Sequence, residues 1–161
     1  MDQIKVALVM GSISDYETVI ETVKVLESFG VSYEKNVISA HRTPEDMVQY
    51  AKLASSRGIQ VIIAAAGGAA HLPGMIASLT TLPVIGIPIK TSALDGLDSL
   101  LSINQMPAGI PVLTTAIGIA GAKNAALGAV RILALHDADL AQKLIDYQND
   151  LAQSVRESNL K

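Results

Sequence analysis

The segment "QVIIAAAGGAAHLPG", residues 60–74, decides how the rest of the chain is read. Its first half, "QVIIAAA" (60–66), is an apolar run of strand length without the polar alternation of a strand that has one face in water. A strand buried on both faces needs cover above and below, and a parallel sheet flanked by helices provides it. Gly67 and Gly68 stop the run, and a helix is expected over about residues 73–81.

Working outward, the same alternation repeats. Residues 4–10, "IKVALVM", form a short apolar run ended by Gly11, and residues 15–29 place Val19, Ile20, Val23, Leu26 and Phe29 at helical spacing before Gly30. A second strand is expected over 31–39 and a helix over 45–57, closed by Gly58. "LPVIGIPI" is strand four, followed by a short helix near 95–104 and a fifth strand in "PVLTTAIG" (111–118). An alanine-rich helix at 120–135 and a last helix at 138–157 complete the pattern. The chain therefore reads as one α/β domain over residues 1–161: three layers, α/β/α, around a flavodoxin-like doubly wound parallel sheet of about five strands. The extra C-terminal helix adds no strand and is expected to pack outside the core or onto a neighbouring subunit.

Half of the residues are hydrophobic and 17% are charged, against roughly 25% in an average soluble domain. The longest apolar stretches are about half of the ~20 residues a membrane span needs, and glycine or proline interrupts them. Burial against copies of the same chain is the better account of the low charge. Asp2 and Lys5 bracket the first apolar run, so no secretory leader is expected. The absence of cysteine leaves no disulfide framework and no thiolate site, as suits a cytoplasmic protein. A net charge of −3 and only four tyrosines and one phenylalanine as aromatics argue against nucleic acid.

Open parallel sheets bind ligands at the carboxyl ends of their strands, which directs attention to three loops. After strand one, "GSISDYE" offers Ser12 and Ser14 at a helix start, a setting that favours anions. Ser14 and Glu17 fit a capping box, with Asp15 in the first turn, where it would repel a phosphate but suit a sugar hydroxyl. Neither the dinucleotide glycine pattern nor a phosphate-loop lysine is present. After strand two, "SAHRTPED" sets Thr43 as N-cap, Pro44 at the first helical position and Asp46 in the first turn. These signals hold Ser39, Ala40, His41 and Arg42 at the strand end, with Arg42 as a fork for phosphate and His41 as a proton carrier near neutral pH. After strand three, Gly67 and Gly68 permit close backbone approach, and His71 precedes Leu72. On the residues alone, either histidine can carry the proton chemistry. His136 sits at a helix carboxyl end, where a cation is favourable. Lys90 and two aspartates in "KTSALDGLD" fall on the ligand edge or at an interface. The three histidines lack metal-site spacing, so no metal is expected.

Taken together, "VMGSISDYE", "SAHRTPED", "AGGAAHLPGMIA" and "SINQMPAGIPV" resemble the PurE family of purine biosynthesis, in the family's order and spacing over nearly the whole chain. The resemblance implies an N5-carboxyaminoimidazole ribonucleotide (N5-CAIR) mutase of the bacterial type, which moves a carboxylate from the exocyclic nitrogen to C4 of the imidazole to give CAIR. It implies His41 as the catalytic histidine. It also implies Ser12, Ser14, Asp15, Ser39, Ala40, Arg42, Gly67, Gly68, His71 and Leu72 as substrate-binding positions. No cofactor is implied, since the substrate carries its own activated carboxylate. The family further implies a homo-octamer and a functional link to an ATP-dependent N5-CAIR synthetase. Two other readings stand beside this one: direct carboxylation of aminoimidazole ribonucleotide by carbon dioxide, and a non-catalytic phosphosugar-binding module.

Overall fold

The computed structural model describes residues 3–158; Asp2 lies outside the described residues, as do Met1 and residues 159–161. Five parallel strands form one sheet in the order β2-β1-β3-β4-β5. They are β1 (Val6–Met10), β2 (Tyr33–Val37), β3 (Val61–Ala66), β4 (Val84–Pro88) and β5 (Leu113–Thr114). The helices are α1 (Tyr16–Phe29), α2 (Pro44–Ala54), α3 (Leu72–Ala77), α4 (Leu97–Asn104), α5 (Ile119–Ala134) and α6 (Ala138–Glu157). This is the flavodoxin-like arrangement, with its reversal of direction between β1 and β3.

The sheet separates two cores, and strand periodicity sorts residues between them. Val6, Leu8, Met10, Val61, Ile63 and Ala65 face α1 and α5, whereas Ala7, Val9, Ile62, Ala64 and Ala66 face α2 and α3. Every residue of β1, β3 and β4 is buried, so the literal reading of "QVIIAAA" as a doubly covered strand holds from Val61 onward. The alanines of α5 explain its tight seat. Ala122, Ala125, Ala126 and Ala129 have no exposed surface, and the buried Thr22 hydroxyl of α1 donates to Ala122 O at 2.8 Å. Gly121 is obligatory there, because a Cβ would lie 1.6 Å from Ala116 O.

Four local expectations need correction. The fifth strand shrinks from 111–118 to two paired residues. Gly86 and Pro88 turn their carbonyls to this edge, accepting Thr115 N at 3.0 Å and Gly118 N at 2.9 Å, but Pro88 has no N–H to extend the ladder. The second strand is also shorter than 31–39, covering 33–37 on the other edge. Helix α3 stops at Ala77 rather than near 81, ahead of the β-branched Thr80 and Thr81 and the proline at 83. The helical part of 45–57 is α-helix only to Ala54, with a 3-10 turn at Ser55–Arg57 before Gly58 at φ 90°.

Helix α6 follows α5 directly and docks by its first half. Leu140 is buried, Tyr147 meets Phe29 with ring centroids 5.7 Å apart, and Lys143 Nζ donates to Phe29 O at 2.9 Å. Its second half carries Leu151 and Val155 into solvent. No helix among the described residues is long and apolar enough to cross a membrane.

Candidate functional site

A crevice of about 630 Å³ opens at the carboxyl ends of β1, β2, β3 and β4, over the β1/β3 reversal. It is bordered by the three loops singled out above, with Lys90 and Thr91 after β4 as its far wall.

The β1 loop begins its helical turn earlier than the Ser14–Glu17 box proposes. Ser12 is the N-cap of a short 3-10 turn, Ile13–Asp15, that runs into α1. Ser12 Oγ accepts from Ser14 N at 3.3 Å and from Ser14 Oγ at 2.9 Å, while Asp15 Oδ2 accepts from Ser12 N at 3.1 Å. The capping box is therefore Ser12–Asp15, because the chain turns immediately after Gly11. Asp15 is 8% exposed. Burial pushes its carboxyl above the usual carboxylate range, opposed by the Ser12 N–H and the Arg42 guanidinium.

The β2 loop is closed by Thr43, which stands at the N-cap position of α2 without a side-chain capping bond. Pro44 does open the helix, but the Thr43 hydroxyl turns back, accepting from Ser39 N at 3.0 Å and donating to Ser39 O at 3.1 Å. Thr43 N adds a third bond to Ser39 O at 3.0 Å. The turn thus presents Ala40, His41 and Arg42 as a unit at the lip. Arg42 Nε donates to Ser39 Oγ at 3.2 Å and Nη2 to Gly11 O at 2.9 Å, which ties the β2 end to the β1 end. Arg42, Ser12 and Ser14 border the same crevice, a set of N–H and O–H groups suited to an oxyanion.

The β3 loop brings the second imidazole to the first. His41 Nε2 and His71 Nδ1 are 2.8 Å apart, with rings nearly perpendicular at 80°. One nitrogen must carry the proton and the other accept it, so the pair can hold a proton between two bases on the border of the crevice. His71 precedes α3, and Leu72 behind it is buried.

Of the residues singled out by sequence, Ser12, Ser14, Asp15, Ser39, Ala40, His41, Arg42, Gly67, His71 and Leu72 border this one crevice. Gly68 does not. It sits at φ 68° with its N–H given to Ser99 Oγ at 2.9 Å, so its backbone faces α4 rather than the opening. Ala66, Ala69, Ile89 and Thr91 border the crevice without having been singled out; small or apolar side chains carry no chemical signal. The aspartates of "KTSALDGLD" divide. Asp95 pairs with Lys90 at 3.6 Å on the surface, while Asp98 Oδ1 accepts from Thr91 Oγ1 at 2.7 Å and from Ser99 N at 3.0 Å.

The AIR carboxylase family model matches residues 5–154. The chain is 60% identical over 156 residues to the N5-carboxyaminoimidazole ribonucleotide mutase of Saccharolobus solfataricus, covering 97% of this chain and 98% of that protein. It is 57% identical to the enzyme of the same name from Bacillus subtilis, over 96% of this chain and 95% of that one. Among solved structures, Treponema denticola PurE superposes with a TM-score of 0.85 at 30% identity, over 94% of each chain.

Proposed function

The chain belongs to the AIR carboxylase family and, by its relatives, is an N5-CAIR mutase, and we propose that the crevice over the β1/β3 reversal is where it works. The observation that carries this reading is the shared border. The anion-suited group of Ser12, Ser14, Ser39 and Arg42 and the His41–His71 pair line one cavity of about 630 Å³. A ribonucleotide anchored by its phosphate at Arg42 extends its imidazole toward the histidines, and Asp15 accepts from the ribose.

The chemistry then divides into two halves. In the first, the bond between the exocyclic nitrogen and the carboxylate carbon breaks, carbon dioxide leaves, and the nitrogen takes a proton from His41. In the second, C4 of the aminoimidazole attacks the trapped carbon dioxide and His41 removes the C4 proton, restoring itself. Phosphate anchoring keeps the ring still while the small molecule changes partner. The loop of Gly67 and His71 excludes water, since escaped carbon dioxide ends the turnover as aminoimidazole ribonucleotide. We place this activity in purine biosynthesis in the cytoplasm, downstream of an ATP-dependent N5-CAIR synthetase. We also infer a homo-octamer; exposed Ile13, Leu94, Leu97, Leu101 and Ile119 support self-association.

The test supplies N5-CAIR in one arm and aminoimidazole ribonucleotide with bicarbonate in the other, to wild type and to His41→Asn. CAIR from N5-CAIR by wild type alone, with ligand still bound by the variant, is the expected result. Turnover confined to the bicarbonate arm replaces the mutase with a direct carboxylase, and full activity of the variant sinks the role of His41.

A further inference from the structure

The glycine turn that carries His71 is held from outside the crevice, by α4. Ser99 has no exposed surface and uses its hydroxyl twice: it accepts from Gly68 N at 2.9 Å and donates to Ile89 O at 2.7 Å. Ser102, one turn on, places Oγ 3.1 Å from Gly68 O and 2.8 Å from Asp98 O, its single proton serving both carbonyls. The N–H and the carbonyl of Gly68 are thus both held from α4. Two tight bonds carry this setting forward: Ala70 N donates to Gly68 O at 2.8 Å and His71 N to Ala69 O at 2.9 Å. His71 in turn meets His41. Neither serine borders the crevice.

This grip falls between the sheet and α3. Strand β3 ends at Ala66 and α3 starts at Leu72, so what the serines constrain is the intervening turn. Gly68, at φ 68°, has nothing within 4 Å of the position of a Cβ, so at this residue the backbone is held by its hydrogen bonds, while Gly67 on one side lies against Ile89 and Ala70 on the other is buried. The same α4 start is fastened to the β4 loop, since Gly96 N donates to Thr91 Oγ1 at 3.1 Å and Thr91 donates to Asp98. One helix end therefore sets the spacing between two walls of the crevice.

We propose that Ser99 and Ser102 are positioning residues for the second half-reaction, holding the 67–71 turn closed so that carbon dioxide meets C4 before it meets water. The proposal rests on the mutase reading. Loosening the turn leaves phosphate anchoring at Arg42 intact and lets the first half proceed: the N–C bond breaks, the nitrogen is protonated and carbon dioxide leaves. The C4–carbon bond then fails to form, and the turnover ends as aminoimidazole ribonucleotide.

The experiment gives N5-CAIR to the full-length wild type, Ser99→Ala and Ser102→Ala, and measures CAIR, aminoimidazole ribonucleotide above the enzyme-free background, kcat and KM. For Ser99→Ala the expected result is a fall of about ten- to a hundredfold in kcat for CAIR, with KM within about threefold and a larger share of turnovers ending as aminoimidazole ribonucleotide. Ser102→Ala, at a partly exposed site, shows the same change in smaller degree and carries the test if Ser99→Ala fails to fold. A wild-type product ratio in the folded variants, or a loss seen only in KM, overturns the proposal while leaving the mutase intact. A wild type that makes no CAIR from N5-CAIR overturns the mutase reading, and the proposal with it.

Discussion

The two sides of the crevice are built on opposite plans. On the β1–β2 side, the groups that border the opening also hold one another: Arg42 binds Ser39 and Gly11, Ser14 binds Ser12, and Asp15 caps Ser12. On the β3–β4 side, the turn that leads to His71 is built of glycine and alanine, and the hydroxyls that hold it lie behind the wall on α4. A surface that recognises by charge can double as its own scaffold, because guanidinium and hydroxyl groups have donors to spare. A surface that must let a backbone come close to a small molecule has no side chains to spare, and its support has to come from elsewhere.

His41 spans the two sides through His71, so replacing it strains the comparison most. His41→Asn is expected to lower CAIR formation by about 10²–10⁴-fold while affinity for CAIR changes little, checked by turnover beside equilibrium binding. An equal loss of binding would move His41 into the recognition side. Next in size is Arg42→Ala. Losing a charge-assisted contact of about 1.5–3 kcal/mol should weaken nucleotide binding by about ten- to a hundredfold and leave the product ratio unchanged. A rise in aminoimidazole ribonucleotide from this variant would show that the sides are not separable.

Gly68→Ala tests the β3–β4 side through its backbone. There is room for the methyl group, so the cost is that of holding alanine at positive φ, about 1–2 kcal/mol by denaturant unfolding. A stability unchanged from wild type would mean that the turn had relaxed, and the product ratio should then shift.

The smallest effect belongs to Asp15→Asn. Burial raises the native carboxyl above its unfolded value, so its contribution favours folding below the unfolded value and is lost as pH rises through the native one. The variant should therefore gain melting temperature relative to wild type near pH 7, with the gain shrinking toward pH 3, while its ribonucleotide affinity falls. A variant less stable than wild type at neutral pH would show that the bond to Ser12 N outweighs the desolvation.

Legibility from sequence follows the same division. The doubly buried β3, the helical spacing of Val19 to Phe29 and the Gly30 and Gly58 stops are written in periodicity and punctuation, and the parallel sheet covered on both faces follows from that alternation. The self-supporting side was legible too, since Ser12, Ser39, His41 and Arg42 are polar residues at strand ends. What escaped depends on contacts distant along the chain. Ser99 bonds Gly68 across 31 positions, and in sequence it is one more serine in a short amphipathic helix. Thr43 stands at the N-cap position as read, but its hydroxyl makes no capping bond, because the strand end behind it offers a better pair of partners. Strand five was overread because its apolar character is visible in sequence, whereas the missing donor belongs to Pro88 on the neighbouring strand.

The 2.8 Å contact between the two imidazoles also bears on how tightly the site can hold what it makes. His41 Nε2 is paired with its neighbour, so on the proposed reading an arriving base would trade one partner for another instead of acquiring a new one. Such an exchange would contribute little to net affinity and much to discrimination, because a guest unable to match His71 would leave a nitrogen unsatisfied. On departure the histidines would pair again, and the protein's own reunion would then favour product release.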